Sequence, residues 1–202
     1  MKLVIATNNK DKLKEIKDII SAMNLPEKVQ VLSLPDYKNV PEVIEDGATL
    51  EANAIKKAQT IADFTGEIAL ADDTGLEVDA LNGAPGVYSA RFAGPGCNYK
   101  DNNKKLLTEL QTYPDNKRIA RFRCVIAVVV PGGKTYTAEG AVNGFIAKEM
   151  RGTDGFGYDP LFMITGLNKT YAELNLEEKN KISHRAIAVK KSKDILLELF
   201  SK

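Results

Sequence analysis

Short apolar runs alternate along the chain with longer segments whose apolar residues recur at helical spacing. Leu3 to Ala6 is an apolar, β-branched run, followed by Thr7, Asn8 and Asn9 and then by Leu13, Ile16 and Ile20. This pattern predicts a strand, a tight polar turn and a helix. Val29 to Ser33 predicts a second short strand, and residues 35–47, with two prolines and acidic residues at 42, 45 and 46, predict a loop. Thr49 opens a second helix that carries Leu50, Ala54, Ala58 and Ile61 on one side and ends near Gly66. Ile68 to Ala71 predicts a strand that stops at Asp72-Asp73-Thr74-Gly75, so the paired carboxylates are expected where a strand ends.

Residues 81–96 are rich in Gly, Pro and Ala and predict a long ordered loop, leading into a helix from Tyr99 to Leu110. Ile119 to Val130 and Lys134 to Val142 flank Pro131-Gly132-Gly133 and read as a long hairpin, with Arg121 and Arg123 on one face of its first strand. Residues 152–160 place three glycines and a proline among aromatic and acidic residues, which predicts a shaped loop. A final helix, capped by Ser183, presents Ala188, Ile195 and Leu199 to the core. This order favours an α/β fold with a mixed β-sheet flanked by helices, in a single domain spanning residues 1–202.

At 202 residues the chain can bury a core of its own, and its 44% hydrophobic and 27% charged residues are those of an ordinary globular protein. The net charge of +1, from 28 basic and 27 acidic residues, provides no field to draw the protein onto a polynucleotide or an anionic membrane. Neither partner is expected, and any phosphate recognition must be local. The longest apolar run, Cys124 to Val130, is too short to span a bilayer, and the N-terminus runs into Asn8-Asn9-Lys10 instead of a signal-cleavage region. A cytoplasmic protein is the expectation. Cys97 and Cys124 are expected as reduced thiols. With His184 the only histidine, a clustered-histidine zinc site is excluded, and any metal should be a hard cation held by carboxylates.

Four constellations carry candidate chemistry. Thr7-Asn8-Asn9-Lys10-Asp11-Lys12 puts hydroxyl, amide and ammonium groups where a strand feeds a helix N-terminus, a place suited to phosphate. Ordinary capping is the competing reading of the same residues. Asp72-Asp73-Thr74-Gly75, with Glu45 and Glu42 from the preceding loop as partners, can supply the one or two carboxylates that magnesium takes beside substrate phosphates. Its competitor is a solvated acidic turn. Gly155-Phe156-Gly157-Tyr158-Asp159-Pro160 offers close backbone approach and an aromatic stacking surface, or simply an aromatic turn packed on the core. Glu178 to Arg185 brings together lysines, a cap residue, the only histidine and an arginine that can donate to base carbonyls or phosphates, or is simply a solvated basic turn.

Taken together and in this order, these segments resemble the inosine triphosphate pyrophosphatase family, the Ham1-like non-canonical purine nucleoside triphosphate pyrophosphatases. The pieces that carry the resemblance are Thr-Asn-Asn-Lys-Asp-Lys at 7–12, Asn-Ala-Ile-Lys-Lys at 53–57, Ala-Asp-Asp-Thr-Gly-Leu at 71–76 and Gly-Ala-Pro-Gly-Val-Tyr-Ser-Ala-Arg at 83–91. Phe-Gly-Tyr-Asp-Pro at 156–160 and Glu-Lys-Asn-Lys-Ile-Ser-His-Arg at 178–185 complete them. The resemblance implies two lobes around a central nucleotide-binding cleft, a homodimer, and magnesium-dependent hydrolysis of ITP, dITP and XTP to the monophosphate and pyrophosphate.

By the same resemblance Asp73 is the proton acceptor and a metal ligand, Glu45 is a metal ligand, and Glu42 is a weaker candidate for that role. Thr7, Asn8, Asn9, Lys10, Asp11, Lys12 and Lys57 are implied triphosphate contacts. Thr74 is an implied substrate contact, and Phe156, Gly157, Tyr158, Asp159, Lys179, His184 and Arg185 are the implied nucleoside pocket. The chain departs from the family's usual pattern at Thr74, where serine is commoner, and at Asn8 and Asp154, where glycine is. These departures bear on substrate ranking more than on the reaction. Two other readings compete: a pyrophosphatase for other modified nucleotides, and a nucleotide-binding module without catalysis.

Overall fold

The computed structural model describes residues 1–201. Strand β1 (Lys2–Ile5) leads through a polar turn into helix α1 (Lys10–Ser21), strand β2 (Gln30–Ser33) and helix α2 (Leu50–Thr65). Strands β3 (Ile68–Val78) and β4 (Pro85–Gly86), helix α3 (Tyr99–Glu109) and strands β5 (Ile119–Val129), β6 (Thr135–Ile146) and β7 (Phe162–Ile164) follow. Helices α4 (Leu176–Ile182), α5 (His184–Lys191) and α6 (Lys193–Phe200) close the chain. The strands form one sheet in the order β2-β1-β3-β5-β6-β7, with β4 on β3. β1 runs parallel to β2 and β3, whereas β4 on β3 and β7 on β6 are antiparallel, so the sheet is mixed, as the element order predicts.

Local chemistry sets the helix ends. The Thr49 hydroxyl accepts the Ala52 N–H to start α2, and Gly66, at φ +69°, ends it in the left-handed region that glycine enters without a Cβ clash. Gly144 is required for another reason: in the β6–β7 pairing, a Cβ there would lie 2.2 Å from the Met163 carbonyl oxygen.

Two compact units make up the described chain. The first comprises Met1–Asp73, Cys124–Gly140 and the chain from Arg185 onward, and the second Thr74–Arg123 and Ala141–His184. Strands β3, β5 and β6 therefore each pass from one unit into the other. In the first unit Leu3, Ile5, Ile16, Ile20, Leu70, Ile126, Val189, Leu196 and Phe200 form one buried cluster. The second unit is built on Leu76, Leu106, Leu110, Phe122, Phe162 and Tyr171, with the Phe122 and Phe162 rings 4.8 Å apart.

Several elements differ from the sequence expectation. β3 does not stop at the aspartates but continues through them to Val78. The polarity of Asp72 and Asp73 suggests a strand end, but buried cations compensate both, so the backbone can stay extended. The closing helix is three helices. Ser183 is the C-cap of α4 with an extended backbone, and Ser192, whose hydroxyl donates to the Val189 carbonyl at 2.7 Å, separates α5 from α6. Ala188 is buried as expected. Cys97 and Cys124 are both free thiols. No described helix is long and apolar enough to cross a membrane.

Candidate active site

The continuation of β3 through Asp72 and Asp73 decides the geometry of the first unit's polar cluster. Successive side chains of a strand leave on opposite faces, so the two aspartates meet different helices. Asp72 Oδ2 lies 3.0 Å from the Lys12 ammonium of α1 and 3.3 Å from Nε of Arg185 in α5. Arg185 also pairs with Glu15 of α1, and all three of Asp72, Glu15 and Arg185 are buried. Asp73 faces α2. Its Oδ1 is 3.3 Å from the Lys57 ammonium, and its Oδ2 accepts from Asn53 Nδ2 at 3.2 Å. Lys57 also reaches Glu45 Oε1 at 3.0 Å, so Glu45 and Asp73 converge on one ammonium group.

The two neighbouring carboxyl groups are displaced in opposite directions. Burial pushes Asp72 up, but Lys12, Arg185 and Lys57 outweigh it and hold the carboxyl far below the usual carboxylate range. Burial is also the largest influence on Asp73, and there it wins: Lys57 and Lys12 oppose it, Glu45 and Asp72 add to it, and the group is raised above its ordinary value. For Lys57 the burial that lowers it is outweighed by Asp73, Asp72 and Glu45, and the ammonium is held more firmly protonated. Adjacent acids pushed apart in this way are suited to different tasks, one a fixed charge and the other a proton acceptor.

At the start of α1, Asn9 Oδ1 accepts the N–H groups of Asp11 and Lys12, each at 3.0 Å, and Thr7 Oγ1 accepts that of Asn9 at 3.2 Å. The side chains of Thr7 and Asn9 thus perform the capping that competed with phosphate binding in the sequence. Asn8, Lys10 and Asp11 are exposed beside them, while Lys12 is drawn inward to Asp72. Glu42 is exposed in the loop before Glu45.

In the second unit the Phe156–Asp159 turn is held from inside. Asp159 Oδ2 accepts the Phe156 N–H at 2.8 Å and pairs with the buried Lys179 ammonium, which lies 4.7 Å from the Phe156 ring centroid. A Cβ at Gly155 would fall 2.2 Å from that same Asp159 oxygen. Gly157 accepts on its carbonyl from Asn103 Nδ2 at 2.9 Å, and the Tyr158 hydroxyl donates to the Ser89 carbonyl at 2.9 Å. Phe156 and Gly157 remain half-buried, as does Thr74, whereas Tyr158, Asp159 and Lys179 are buried. Tyr99 lies 6.0 Å from Phe156, and His184 stacks on Phe122 at 4.5 Å.

Residues 3–195 match the model of the Ham1 family. The chain belongs to that family. A "dITP/XTP pyrophosphatase" of Desulforamulus reducens is 54% identical over 200 residues, covering 99% of this chain and 98% of the relative. Another of that name from Geobacter sulfurreducens is 52% identical over 195 residues, covering 96% of each. Among solved structures, a HAM1 protein from Coxiella burnetii superposes with a TM-score of 0.87 at 38% identity, over 98% of this chain and 99% of its own. The Ham1 family assignment and the mixed α/β fold therefore stand as the sequence predicts.

In this Ham1-family chain the structure gathers Lys12, Lys57, Glu45 and Asp73 with Asp72, which the sequence offers only as a candidate metal carboxylate, and with two residues to which sequence reading assigns no role, Glu15 and Asn53. Asn53 carried a signal, since it precedes Lys57 by four residues and so shares its helix face. Glu15 carried none, because an acidic residue beside an amphipathic stripe ordinarily faces water. Arg185 is placed in the first unit, against Asp72 and Glu15, and not among the aromatic residues of the second.

Proposed function

We propose that this chain hydrolyses non-canonical purine nucleoside triphosphates, ITP, dITP and XTP, to the monophosphate and pyrophosphate in the cytoplasm, as a homodimer. The observation that carries the reading is the pair of adjacent aspartates, one locked as a fixed charge by Lys12 and Arg185 and the other displaced toward proton uptake beside Lys57. The names of the relatives from Desulforamulus reducens and Geobacter sulfurreducens support the same chemistry.

The donor set fits a magnesium ion. Two carboxylates, Glu45 and Asp73, converge on the single Lys57 ammonium, whereas Asp72 and Glu15 are committed to Lys12 and Arg185. Hard oxygen donors of this number, completed by substrate phosphates and water, are what magnesium takes. Asp73 and Glu45 would hold it, with Glu42 as a weaker third, and when bound it would neutralise phosphate charge and polarise water.

The protein's own groups then divide the work. Asp73 accepts the proton of the attacking water, whose oxygen bonds to the α-phosphorus as the bond to the bridging oxygen breaks and pyrophosphate departs. Lys57, Lys12 and the exposed Asn8, Lys10 and Asp11 region at the start of α1 bind the triphosphate and offset the charge that moves to the leaving group. Phe156 stacks on the purine with Gly157 beneath it, and Tyr158, Asp159 and Lys179 hold that turn. Thr74 and His184 complete the substrate contacts, with N–H donors selecting a keto group over the amino group of adenine, while Arg185, buried against Asp72 and Glu15, holds the fixed charge instead.

The test is to incubate the purified protein and magnesium with ITP, XTP, ATP and GTP and to assay pyrophosphate and inorganic phosphate separately. Pyrophosphate from ITP and XTP with little from ATP and GTP is expected. Inorganic phosphate instead would put the cleavage at the wrong bond, and tight ITP binding without product would make the chain a nucleotide-binding module.

A further inference from the structure

Asn53 is completely buried in α2, and both ends of its amide are used. Nδ2 donates to Asp73 Oδ2 at 3.2 Å, and Oδ1 accepts the Gly47 N–H at 2.7 Å. The orientation of the amide is fixed by chemistry: a backbone N–H can meet only the oxygen, so the NH2 must face the carboxylate. One turn later on the same helix face, Lys57 takes the other oxygen, Oδ1, at 3.3 Å. With a donor on each oxygen the plane of the Asp73 carboxylate is set, which a single contact would leave free to rotate. The second bond reaches the loop that carries Glu45, two residues before Gly47. That approach is close, since a Cβ at Gly47 would lie 2.6 Å from Asn53 Oδ1.

We propose that Asn53 is a positioning residue that fixes the Asp73 carboxylate and the Glu45 loop in one register, through a single amide bonded to both. The inference rests on the hydrolytic reading above and deepens it. Asn53 does not touch substrate. It acts through Asp73, because the rate of proton transfer and the binding of a cation both depend on where that carboxylate points.

The experiment compares wild type with Asn53→Leu, which keeps the branched shape and loses both bonds, and Asn53→Asp, which keeps an acceptor for Gly47 but no donor for Asp73. Ala62→Gly, a buried position further along α2, is the control for a loosened helix. Pyrophosphate release from ITP gives kcat and KM, thermal melting reports folding, and electron paramagnetic resonance gives Mn2+ affinity in the presence of an α,β-imido analogue of ITP. Both Asn53 variants are expected to lose about ten- to a hundredfold in kcat and about tenfold in Mn2+ affinity, the scale of other groups that orient metal ligands. KM should stay within about threefold, and Ala62→Gly should melt earlier yet keep the wild-type kcat.

A folded Asn53→Leu with kcat within about twofold of wild type overturns the proposal. So does a control that loses rate in step with its melting temperature, which would make the effect structural. If Asn53→Leu does not fold, Asn53→Asp decides on the same criteria; if neither folds, Asn53 is a folding residue and the proposal is wrong as stated. Wild type that releases no pyrophosphate from ITP defeats the functional reading instead, and the Mn2+ affinities still test the positioning role.

Discussion

The Lys57 ammonium lies 3.3 Å from Oδ1 of Asp73, so a buried cation faces the carboxylate proposed above to take up the proton. Asp73→Asn retains an acceptor for Lys57 and the shape of the side chain but can no longer take up a proton at the carboxylate. Turnover of ITP should fall by at least about a hundredfold, the usual worth of a positioned acid or base, in a protein that still folds but melts earlier, because the new amide can accept from Lys57 or from Asn53 but not from both. Near-normal rates in a folded Asp73→Asn would remove Asp73 from the role assigned to it.

Asp72, its neighbour on β3, should behave differently. It is fully buried and neutralises Lys12 and Arg185. Asp72→Ala leaves Lys12 without this partner and Arg185 with Glu15 alone, and breaking a buried pair on one side costs about 3–5 kcal/mol. Urea unfolding should show that loss, and Glu15→Ala should show a similar one because Arg185 is then half-compensated. A stability change under about 1 kcal/mol would mean that water reaches these groups and replaces the lost partner.

How much of this arrangement was legible beforehand follows from the physics of each element. α1 and α2 were readable because their apolar spacing, the Thr49 cap and the Gly66 terminator all agree. β3 was misread at its end. Two adjacent aspartates look like a solvated turn unless Lys12, Lys57 and Arg185, far away in the chain, are known to meet them. β7 and α4 left no periodic signal, being three residues and seven residues long with too few apolar positions to repeat. Asp73 and the lysines lie in family-like segments and Asn53 shares the helix face of Lys57, whereas the burial of Glu15 against Arg185 is a tertiary contact that no local pattern encodes.

The Phe156 ring has the buried Lys179 ammonium on one side, 4.7 Å from its centroid, and is itself half-buried in a turn fixed by Asp159. Stacking on an aromatic side chain contributes about 1–3 kcal/mol per base. Phe156→Ala should therefore raise the KM for ITP by between about fivefold and a hundredfold and change kcat less, since the role proposed for the ring is to bind the base and not the reacting phosphates. Lowered kcat at unchanged KM would place Phe156 nearer the chemistry than the base.

Arg121 and Arg123, which share a strand face, both meet Glu77: Nε of Arg121 at 2.6 Å from Oε2 and Nη1 of Arg123 at 2.8 Å from Oε1. Both guanidinium groups are thus committed to one carboxylate within the protein. Burial pushes the Glu77 carboxyl up, but the hydrogen bonds and charges of Arg123 and Arg121 outweigh it and leave it lowered. A carboxyl lowered in the folded state stabilises the protein above its unfolded value, about 4.3, and loses that contribution as the pH falls through the folded value. Glu77→Gln should therefore be less stable than wild type at pH 7 by up to about 1 kcal/mol, given the exposure of Arg121. Urea midpoints for the two proteins should converge as the pH is taken down through the carboxylate range. If the gap persists in acid, Glu77 contributes through packing and hydrogen bonding rather than charge.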